Sequence, residues 1–241
     1  MKISVVVPAF NEEHLLDKSL TQIKLAAKVF LQRRWEFELI VCDNNSTDRT
    51  AEIARTAGAT VIFESINQIA RARNSGAAAA TGDWLIFVDA DSCPGAELFS
   101  EVADQIVFGK CLAGGCTLQL DEYYLPAEIV TGLWNCASRI CKLLAGSFIF
   151  CEAATFRKIG GFNNELFAAE ELELSRRLRQ LARETGKRIV ILHRHPLTTS
   201  ARKMRLYSKR EHIQFFLRAI FNQRRTLRDR ETAHLWYDGR R

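Results

Sequence analysis

Two aspartates come directly after an apolar stretch of the sequence. Residues 84–88 read Trp-Leu-Ile-Phe-Val and have no polar side chain, which is typical of a central parallel strand covered on both faces. Asp89 and Asp91 flank a single residue, so in an extended chain their carboxylates point the same way. Such a pair suits a divalent cation of the Mg²⁺ or Mn²⁺ type, which usually binds together with substrate phosphates. The alternative is a solvated strand end or a cap for a helix that starts near Pro94.

The elements that must position these aspartates alternate between strand and helix. Apolar and β-branched runs predict the strands, and helical periodicity predicts the helices between them. The predicted strands cover 3–7, 38–42, 60–63 and 84–88, and the predicted helices cover 15–30, 49–57 and 74–80. This alternation requires parallel strands with right-handed crossovers, and ligands bind at the carboxyl ends of such strands. The pattern of residues 1–92 therefore predicts a doubly wound nucleotide-binding half. These residues contain neither a Gly-x-Gly-x-x-Gly motif nor a Walker lysine motif, which argues against a dinucleotide site and a P-loop.

The remainder of the chain adds further elements to this α/β pattern. We predict helices over 96–107 and 126–144 and strands over 114–120, 146–151 and 188–192. Another helix starts near Glu170, with Leu174, Leu178 and Leu181 as its buried stripe. At 241 residues, 47% of them hydrophobic, the chain can bury the core of one large α/β domain or two small ones.

Hydropathy and cysteine usage bear on the location of the protein. No apolar run reaches the roughly 18 residues that a spanning helix requires, and polar residues interrupt the apolar segment 143–156. Neither a spanning helix nor a signal peptide is indicated, so we expect a soluble, cytoplasmic protein. The seven cysteines never form Cys-x-x-Cys, which argues against a disulfide framework and a zinc site, and we expect them to be reduced and buried.

The net charge of +6 is concentrated near the C-terminus. Residues 201–230 contain ten Lys or Arg and two acidic residues, an excess of +8 that leaves the rest of the chain near −2. Apolar residues between Ile213 and Phe221 are interspersed with these cations, as in amphipathic helices at the inner face of a membrane. A helix docked on the main domain is the alternative. Nucleic-acid binding is not expected, because the chain has no recognised motif for it.

Four segments of the sequence carry motifs that belong together. They are VVVPAFNEE at 5–13, VCDNNSTDRT at 41–50, ARNSGAAAATGDWLIFVDAD at 72–91 and FRKIGGFNNELFAAEELELSRRLR at 156–179. In this order and spacing they resemble the family 2 glycosyltransferases of GT-A fold. The resemblance implies a GT-A domain over 1–200 with a mostly parallel, doubly wound sheet, divided into a nucleotide-binding half (1–92) and an acceptor half (93–200) and followed by the basic amphipathic segment 201–241.

The activity implied by the resemblance is sugar transfer. The donor would be a nucleoside diphosphate sugar, linked to UDP or GDP, and the acceptor hydroxyl would be glycosylated with inversion at the anomeric carbon. The implied cofactor is Mn²⁺ or Mg²⁺. The acceptor is expected to be a glycan, a lipid-linked molecule or a small molecule, as in the synthesis of cell envelope polysaccharide.

The resemblance also assigns residues to the donor. It places four residues beside the base and the ribose: Pro8, Ala9, Phe10 and Glu12. Asp43 falls where an acid accepts a hydrogen bond from the base, commonly uracil, and a carboxylate that ends a buried strand suits an imide N–H. The alternative for Asp43 is a turn former or helix cap. Arg73 falls near the base and the diphosphate, whereas Arg71 is expected at the surface.

The Asp89-Ala90-Asp91 segment matches the metal motif of the family. The resemblance assigns Asp89 to the ribose or the metal, Ala90 to the nucleotide, and Asp91 to direct contact with the cation that bridges the diphosphate. A cation at this place would offset the negative charge that develops on the leaving nucleoside diphosphate.

The segment from Ala168 to Leu174 matches a Glu-Asp pair that starts a helix in the family. The Asp of that pair is the general base that deprotonates the acceptor hydroxyl, and Glu171 stands in its place here. A general base needs hydrogen-bond reach, about 2.6–3.2 Å, more than one residue type, so Glu171 is the candidate base. The alternative is that Glu170, Glu171 and Glu173 only favour the helix N-terminus through its dipole.

Two further features lie between residues 193 and 203. His193 and His195 lie where related enzymes often take a third metal ligand, although surface or capping histidines are the better interpretation. Residues 198–203 resemble a Thr-Ser-x-Arg-Arg segment of some family members and are expected to close over the diphosphate.

Two other functional classes share parts of this pattern. A sugar-nucleotide-forming nucleotidyltransferase has a similar doubly wound half and metal carboxylates, but it usually carries a Gly-rich loop with a basic residue after the first strand. Residues 8–13 lack both features. A non-catalytic module that binds nucleotide sugars is the second alternative, and it would be favoured if Glu171 could not act as a base.

Overall fold

The computed structural model describes residues 1–202, which form one eight-stranded sheet. The first part of the sheet is parallel, in the order β3-β2-β1-β4. Its elements are β1 (Lys2–Ala9), α1 (Leu16–Gln32), β2 (Glu36–Asp43), α2 (Thr50–Thr56), β3 (Thr60–Phe63), α3 (Ile69–Ala79) and β4 (Trp84–Val88). Every residue of β4 is buried, as expected for an apolar strand that is covered on both faces.

The second part continues from β4 in the order β7-β6-β8-β5. Its elements are β5 (Ser92–Cys93), α4 (Ala96–Phe108), β6 (Cys111–Leu120), α5 (Leu125–Cys141), β7 (Phe148–Glu152), α6 (Ala153–Lys158), α7 (Glu170–Thr185) and β8 (Arg188–Thr199). Strand β7 is antiparallel to β4 and β6, and four of the seven strand pairings are parallel. The predicted mostly parallel α/β sheet is therefore confirmed, and the predicted boundary between its halves falls inside one continuous sheet.

The sheet has a hydrophobic core on each face. On one face, helices α1 and α4 meet through Phe30 and Phe99, whose ring centroids lie 5.2 Å apart. On the other face, Phe87 of β4 packs against Phe156 at 5.1 Å and against Phe162 at 5.2 Å. The second cluster fixes the segment that leads into α7, and thereby the position of Glu170 and Glu171.

Two predicted boundaries are wrong in ways that affect the site. Helix α3 starts at Ile69, not at residue 74, because Gln68 is extended and its N–H donates to the Asn44 side chain at 2.8 Å. Strand β8 runs on to Thr199, seven residues past the predicted end. Its pairing with β6 is interrupted between Leu192 and Leu197 and then resumes, so residues 193–196 form a bulge directly after the predicted end of the strand.

Helix α5 also differs from its prediction. It ends at Cys141, three residues before the predicted end, and Lys142 then adopts a left-handed conformation with φ 53°. The cysteines are free, as expected, but Cys136 and Cys141 on α5 are exposed rather than buried. None of the helices within residues 1–202 combines the length and the apolar composition that a membrane span requires. The predicted amphipathic helix of the basic tail lies outside the described residues.

Candidate active site

The carboxyl ends of β1 and β2 bring the predicted donor residues to one edge of the sheet. Ala9 pairs with Asp43 at the last position of both strands, Pro8 is buried one residue earlier, and Phe10 follows half-buried. The Asp43 carboxylate is buried and accepts the N–H of Ser46 at 3.1 Å. Asp43 therefore does form the turn that was its alternative role, at the edge where the donor base is expected.

Glu12 lies in the loop after β1 and is buried. Its carboxylate accepts two hydrogen bonds from Nη2 of Arg202, at 2.9 and 2.8 Å. The same nitrogen lies 4.0 Å from Oδ2 of Asp91. Arg202 thus links the first loop to the predicted metal carboxylate, and no local motif in the sequence predicts this contact.

Arg73 is the centre of a buried ion network. Its Nη1 donates to Oε1 of Glu170 at 2.6 Å, and its Nη2 donates to Oδ1 of Asp89 and to the carbonyl of Gly146, both at 2.9 Å. Burial lowers the pKa of Arg73, but the negative charges of Asp89 and Glu170 outweigh this effect, and the net shift is upward. The guanidinium is therefore held charged by protein groups.

This network changes the interpretation of Arg73 and Asp89. The resemblance assigns Arg73 to the donor, yet its hydrogen bonds within residues 1–202 go to protein groups that also line the site. Asp89 accepts from Arg73 through Oδ1, whereas Oδ2 forms no hydrogen bond with the described residues. One oxygen of Asp89 thus remains for a ribose or a cation. Ala90, between the two aspartates, is buried and can offer a ligand only its backbone.

Asp91 lies at the border between two cavities. One, of about 450 Å³, also contains Lys18, Asp121 and His195, and the other, of about 380 Å³, also contains Asp89. Within residues 1–202, no three His, Cys, Asp or Glu side chains cluster as a complete metal site. The chain offers a carboxylate pair, which fits a cation of the Mg²⁺ or Mn²⁺ type that takes its other ligands from phosphates and water.

The two late histidines have different surroundings. Both are exposed; His195 shares the larger cavity with Asp91, and its Nε2 lies 3.7 Å from Glu101. His193 lines a separate groove with Arg139. Neither histidine contacts Asp91 through a hydrogen bond, so the interpretation as surface histidines is favoured.

The first two residues of α7 also differ in their surroundings. Glu170 is 3% exposed and ion-paired with Arg73. Glu171 lines the 380 Å³ cavity with Asp89 and Asp91, and its carboxylate forms no hydrogen bond with another side chain in residues 1–202. Burial raises the pKa of Glu171 to about 8, the charge of Glu170 adds to the rise, and Arg73 opposes it. A carboxylate that faces a cavity, is bound by no other side chain and has a raised pKa is suited to accept a proton.

Helix α3 anchors the loop that leads into α7. Nε2 of Gln68 donates to the carbonyls of Asn164 and Leu166, both at 2.8 Å, and Asn74 forms two hydrogen bonds of 2.9 Å with the backbone of the same loop. Ala169, the residue before α7, has a left-handed φ of 59°, which costs a non-glycine residue about 1 kcal/mol. The anchored loop thus fixes where α7 starts. Arg71 supports Gln68 through a hydrogen bond of 2.9 Å and does not line the 380 Å³ cavity.

Helix α5 forms the apolar wall of the 380 Å³ cavity. Val130, Thr131 and Trp134 line it together with Phe167 of the anchored loop. Nε1 of Trp134 is buried and has no hydrogen-bond partner among residues 1–202. The sequence contains no motif around Trp134 that would have indicated this position.

The chain is similar to glycosyltransferases in both sequence and structure. Residues 4–121 match the family model described as glycosyl transferase family 2. An uncharacterized glycosyltransferase of Haemophilus influenzae is 29% identical over 194 residues, which cover 74% of this chain and 62% of that protein. The validoxylamine A glucosyltransferase of Streptomyces hygroscopicus subsp. limoneus is 26% identical over 218 residues, which cover 73% and 47%. The chain thus spans less than two thirds of the length of either relative.

Solved structures with the same fold include one with bound UDP and one with a bound nucleotide sugar. Staphylococcus aureus TarS 1–349 in complex with UDP is 25% identical, with a TM-score of 0.61 over 83% of this chain and 61% of that chain. The mannosyltransferase PcManGT of Pyrobaculum calidifontis in complex with GDP-Man and Mn²⁺ has a TM-score of 0.65 at 19% identity, over 90% and 64%. Taken with the family match, these likenesses show that residues 4–121 belong to glycosyl transferase family 2 and that the chain has the GT-A fold.

Proposed function

We propose that this chain transfers a sugar from a UDP- or GDP-linked nucleoside diphosphate sugar to an acceptor hydroxyl, with inversion at the anomeric carbon. The observation that carries the proposal is the 380 Å³ cavity, which brings Asp89, Asp91 and Glu171 together. A second observation separates the roles of the two glutamates, since Arg73 binds Glu170 and leaves Glu171 facing the cavity.

The donor is proposed to bind at the carboxyl ends of β1, β2 and β4. Pro8, Ala9, Phe10, Glu12 and Asp43 would surround the base and ribose. The UDP in TarS and the GDP-Man in PcManGT support a nucleoside diphosphate donor. The buried Asp43 favours a base that can donate an N–H.

Asp91 and the second oxygen of Asp89 would hold a Mn²⁺ or Mg²⁺ ion together with the diphosphate. When bound, the ion would supply a positive charge that stabilises the leaving nucleoside diphosphate. The ion pair between Asp89 and Arg73 orients the Asp89 carboxylate before the donor arrives. The Mn²⁺ in the PcManGT complex supports this proposal.

Glu171 is proposed to be the general base. It would accept the proton of the acceptor hydroxyl as that oxygen attacks the anomeric carbon from the side opposite the diphosphate. One such displacement inverts the configuration. The ion pair of Glu170 with Arg73 at 2.6 Å and the burial of Glu170 disfavour that residue as the base. The raised pKa of Glu171 brings the base close to neutrality, where proton acceptance is most effective.

The acceptor is proposed to lie against the wall formed by Val130, Thr131 and Trp134. The indole of Trp134 offers an aromatic face and an unpaired N–H, a combination that suits a hydroxyl-rich glycan or small molecule. A lipid-linked acceptor, a cytoplasmic location and contact of the tail with the inner face of the membrane stay predictions from the sequence.

One finding and one assay distinguish sugar transfer from the two other functional classes. The match of residues 4–121 to a glycosyltransferase family disfavours a nucleotidyltransferase. A non-catalytic binding module would bind donor without releasing nucleoside diphosphate in the presence of acceptors, so a release assay separates it from an enzyme.

A donor screen tests the proposed function. We expect one nucleotide sugar, UDP- or GDP-linked, to raise the melting temperature of the protein in the presence of Mn²⁺ and to have a much smaller effect in chelator, because the carboxylates alone repel the diphosphate. Once an acceptor is found, the anomeric proton coupling of the product, measured by NMR, should show the configuration opposite to that of the donor. Retention of configuration, or stabilisation by no nucleotide sugar, would contradict the proposal.

A further inference from the structure

The outer face of α5 is apolar and uncovered in the described part of the chain. Leu125, Ile129, Leu133 and Ile140 are between 56% and 74% exposed, and Cys136 is exposed on the same stripe. The spacing of these residues, three or four positions apart, places them on one side of the helix. We call these five residues the α5 stripe.

The inner face of the same helix packs on the domain and lines the candidate acceptor cavity. Ala127 and Ser138 are its buried residues, and Thr131 and Trp134 line the candidate acceptor cavity. The α5 stripe is therefore exposed to solvent, with Cys136 and Ile140 at the edge of the groove that contains His193. An exposed apolar face of this kind usually contacts a partner.

Two charged residues flank the α5 stripe. Glu128 and Arg139 are eleven positions apart, which is about three helical turns, so both lie along the same flank of α5. Neither side chain forms a hydrogen bond or ion pair with another residue among 1–202. One flank thus carries an unpaired acid near its N-terminal end and an unpaired base near its C-terminal end.

We propose that the α5 stripe is the interface of a homodimer in which two α5 helices pack antiparallel across a two-fold axis. In this arrangement Leu125 lies opposite Ile140 of the second copy, Ile129 lies opposite Cys136, and Leu133 lies near the axis. A two-fold axis places the same flank of both helices together, so each Glu128 meets an Arg139. The pattern is complementary to itself, which is what an interface between identical chains requires.

The charges near the stripe disfavour a lipid surface as its occupant. Asp121, Glu122 and Glu128 lie at the N-terminal end of α5, where anionic headgroups would repel them. Helices that bind membranes carry Lys and Arg along the polar face, whereas α5 has one basic residue, Arg139. The proposed interface is independent of the proposed catalytic function.

Sedimentation velocity of the full-length chain tests the interface. We expect a dimer at high micromolar concentration. Leu133→Glu should raise the dimer dissociation constant by more than about tenfold, because it buries two like charges near the axis. The matched control is Val107→Glu on α4, at a site that is 69% exposed and outside the stripe, and it should leave the dimer intact. Both sites are exposed, so circular dichroism should show unchanged folding.

Charge reversal tests the pairing of Glu128 with Arg139 across the interface. A general loss of apolar surface would not reproduce its expected result. Glu128→Arg and Arg139→Glu should each weaken the dimer, and the double variant should restore it, because each reversed charge again meets an opposite one. A monomeric wild type, or a Leu133→Glu variant that stays dimeric, would overturn the proposal. It would also be overturned if a monomeric chain floated with phosphatidylglycerol vesicles and Leu133→Glu abolished that flotation, since the stripe would then bind lipid.

Discussion

Replacing Glu171 with glutamine is expected to lower the rate of sugar transfer by a factor on the order of 10² to 10⁴ while donor and metal binding are retained. Glutamine fills the same space next to the cavity but cannot accept the proton of the acceptor hydroxyl. Transfer should be measured at saturating donor, and donor binding by calorimetry. Because the pKa of Glu171 is about 8, transfer by the wild type should rise with pH up to that value.

Two variants serve as controls for this result. Glu173→Gln changes a carboxylate of the same helix that is paired with Arg177 and does not line the cavity, so transfer should be nearly unchanged. Glu171→Asp should keep partial activity, because its shorter side chain worsens the attack geometry without removing the base. Wild-type transfer rates in Glu171→Gln would show that the base lies elsewhere.

The same substitution has an expected effect on stability that does not depend on substrate. The pKa of Glu171 in the folded protein, about 8, lies above its ordinary value of 4.5. The stabilisation linked to this proton is therefore complete below pH 4.5 and is lost as the pH rises to about 8. Glutamine does not titrate, so Glu171→Gln should melt at a higher temperature than the wild type above about pH 8, with little difference at acidic pH.

The second large effect is expected at Arg73. Arg73→Met should lower the free energy of unfolding by about 3–5 kcal/mol, measured by urea denaturation, because it leaves Glu170 and Asp89 without their shared cation in a buried site. The carbonyl of Gly146 also loses its donor. A deficit of this size reflects an uncompensated buried charge, which a substitution at the surface does not create.

Two comparisons identify the origin of the effect. Arg33→Met removes an exposed ion pair with Asp104 and should cost less than about 1 kcal/mol. Glu170→Met in the Arg73→Met background should recover part of the lost stability, since it removes the stranded carboxylate. If Arg73→Met were no more destabilising than Arg33→Met, Arg73 would not be a structural ion and its assignment to the donor would be favoured.

The sequence predicts the sheet and the edge that carries the candidate site, because both depend on local patterns. The apolar run of β4 and the two aspartates after it indicate both the strand and the position of its carboxyl end. The four motifs resemble family 2 glycosyltransferases, the same family whose model matches residues 4–121. The bulge in β8 could not be predicted, because His193 to Pro196 break the alternation of buried and exposed residues on which a strand prediction depends.

The side-chain network of the site could not be predicted from the sequence, for a different reason. Arg73 and Glu170 are 97 residues apart, and nothing in the local pattern of either residue indicates a buried ion pair. The motif places both glutamates at the start of α7 but does not say which one Arg73 binds. Helical periodicity likewise predicts α5 without showing which of its apolar faces packs on the domain.

We propose above all that Asp91 and Asp89 bind a divalent cation together with the donor diphosphate in the cavity that contains Glu171. Calorimetric titration of UDP and GDP in Mn²⁺ and in chelator tests it most directly. One nucleotide should bind wild type in a Mn²⁺-dependent manner, Asp91→Ala should lose the Mn²⁺ dependence, and the exposed control Asp104→Ala should keep it. Equal affinity in Mn²⁺ and chelator for the wild type, or unchanged Mn²⁺ dependence in Asp91→Ala, would contradict the claim.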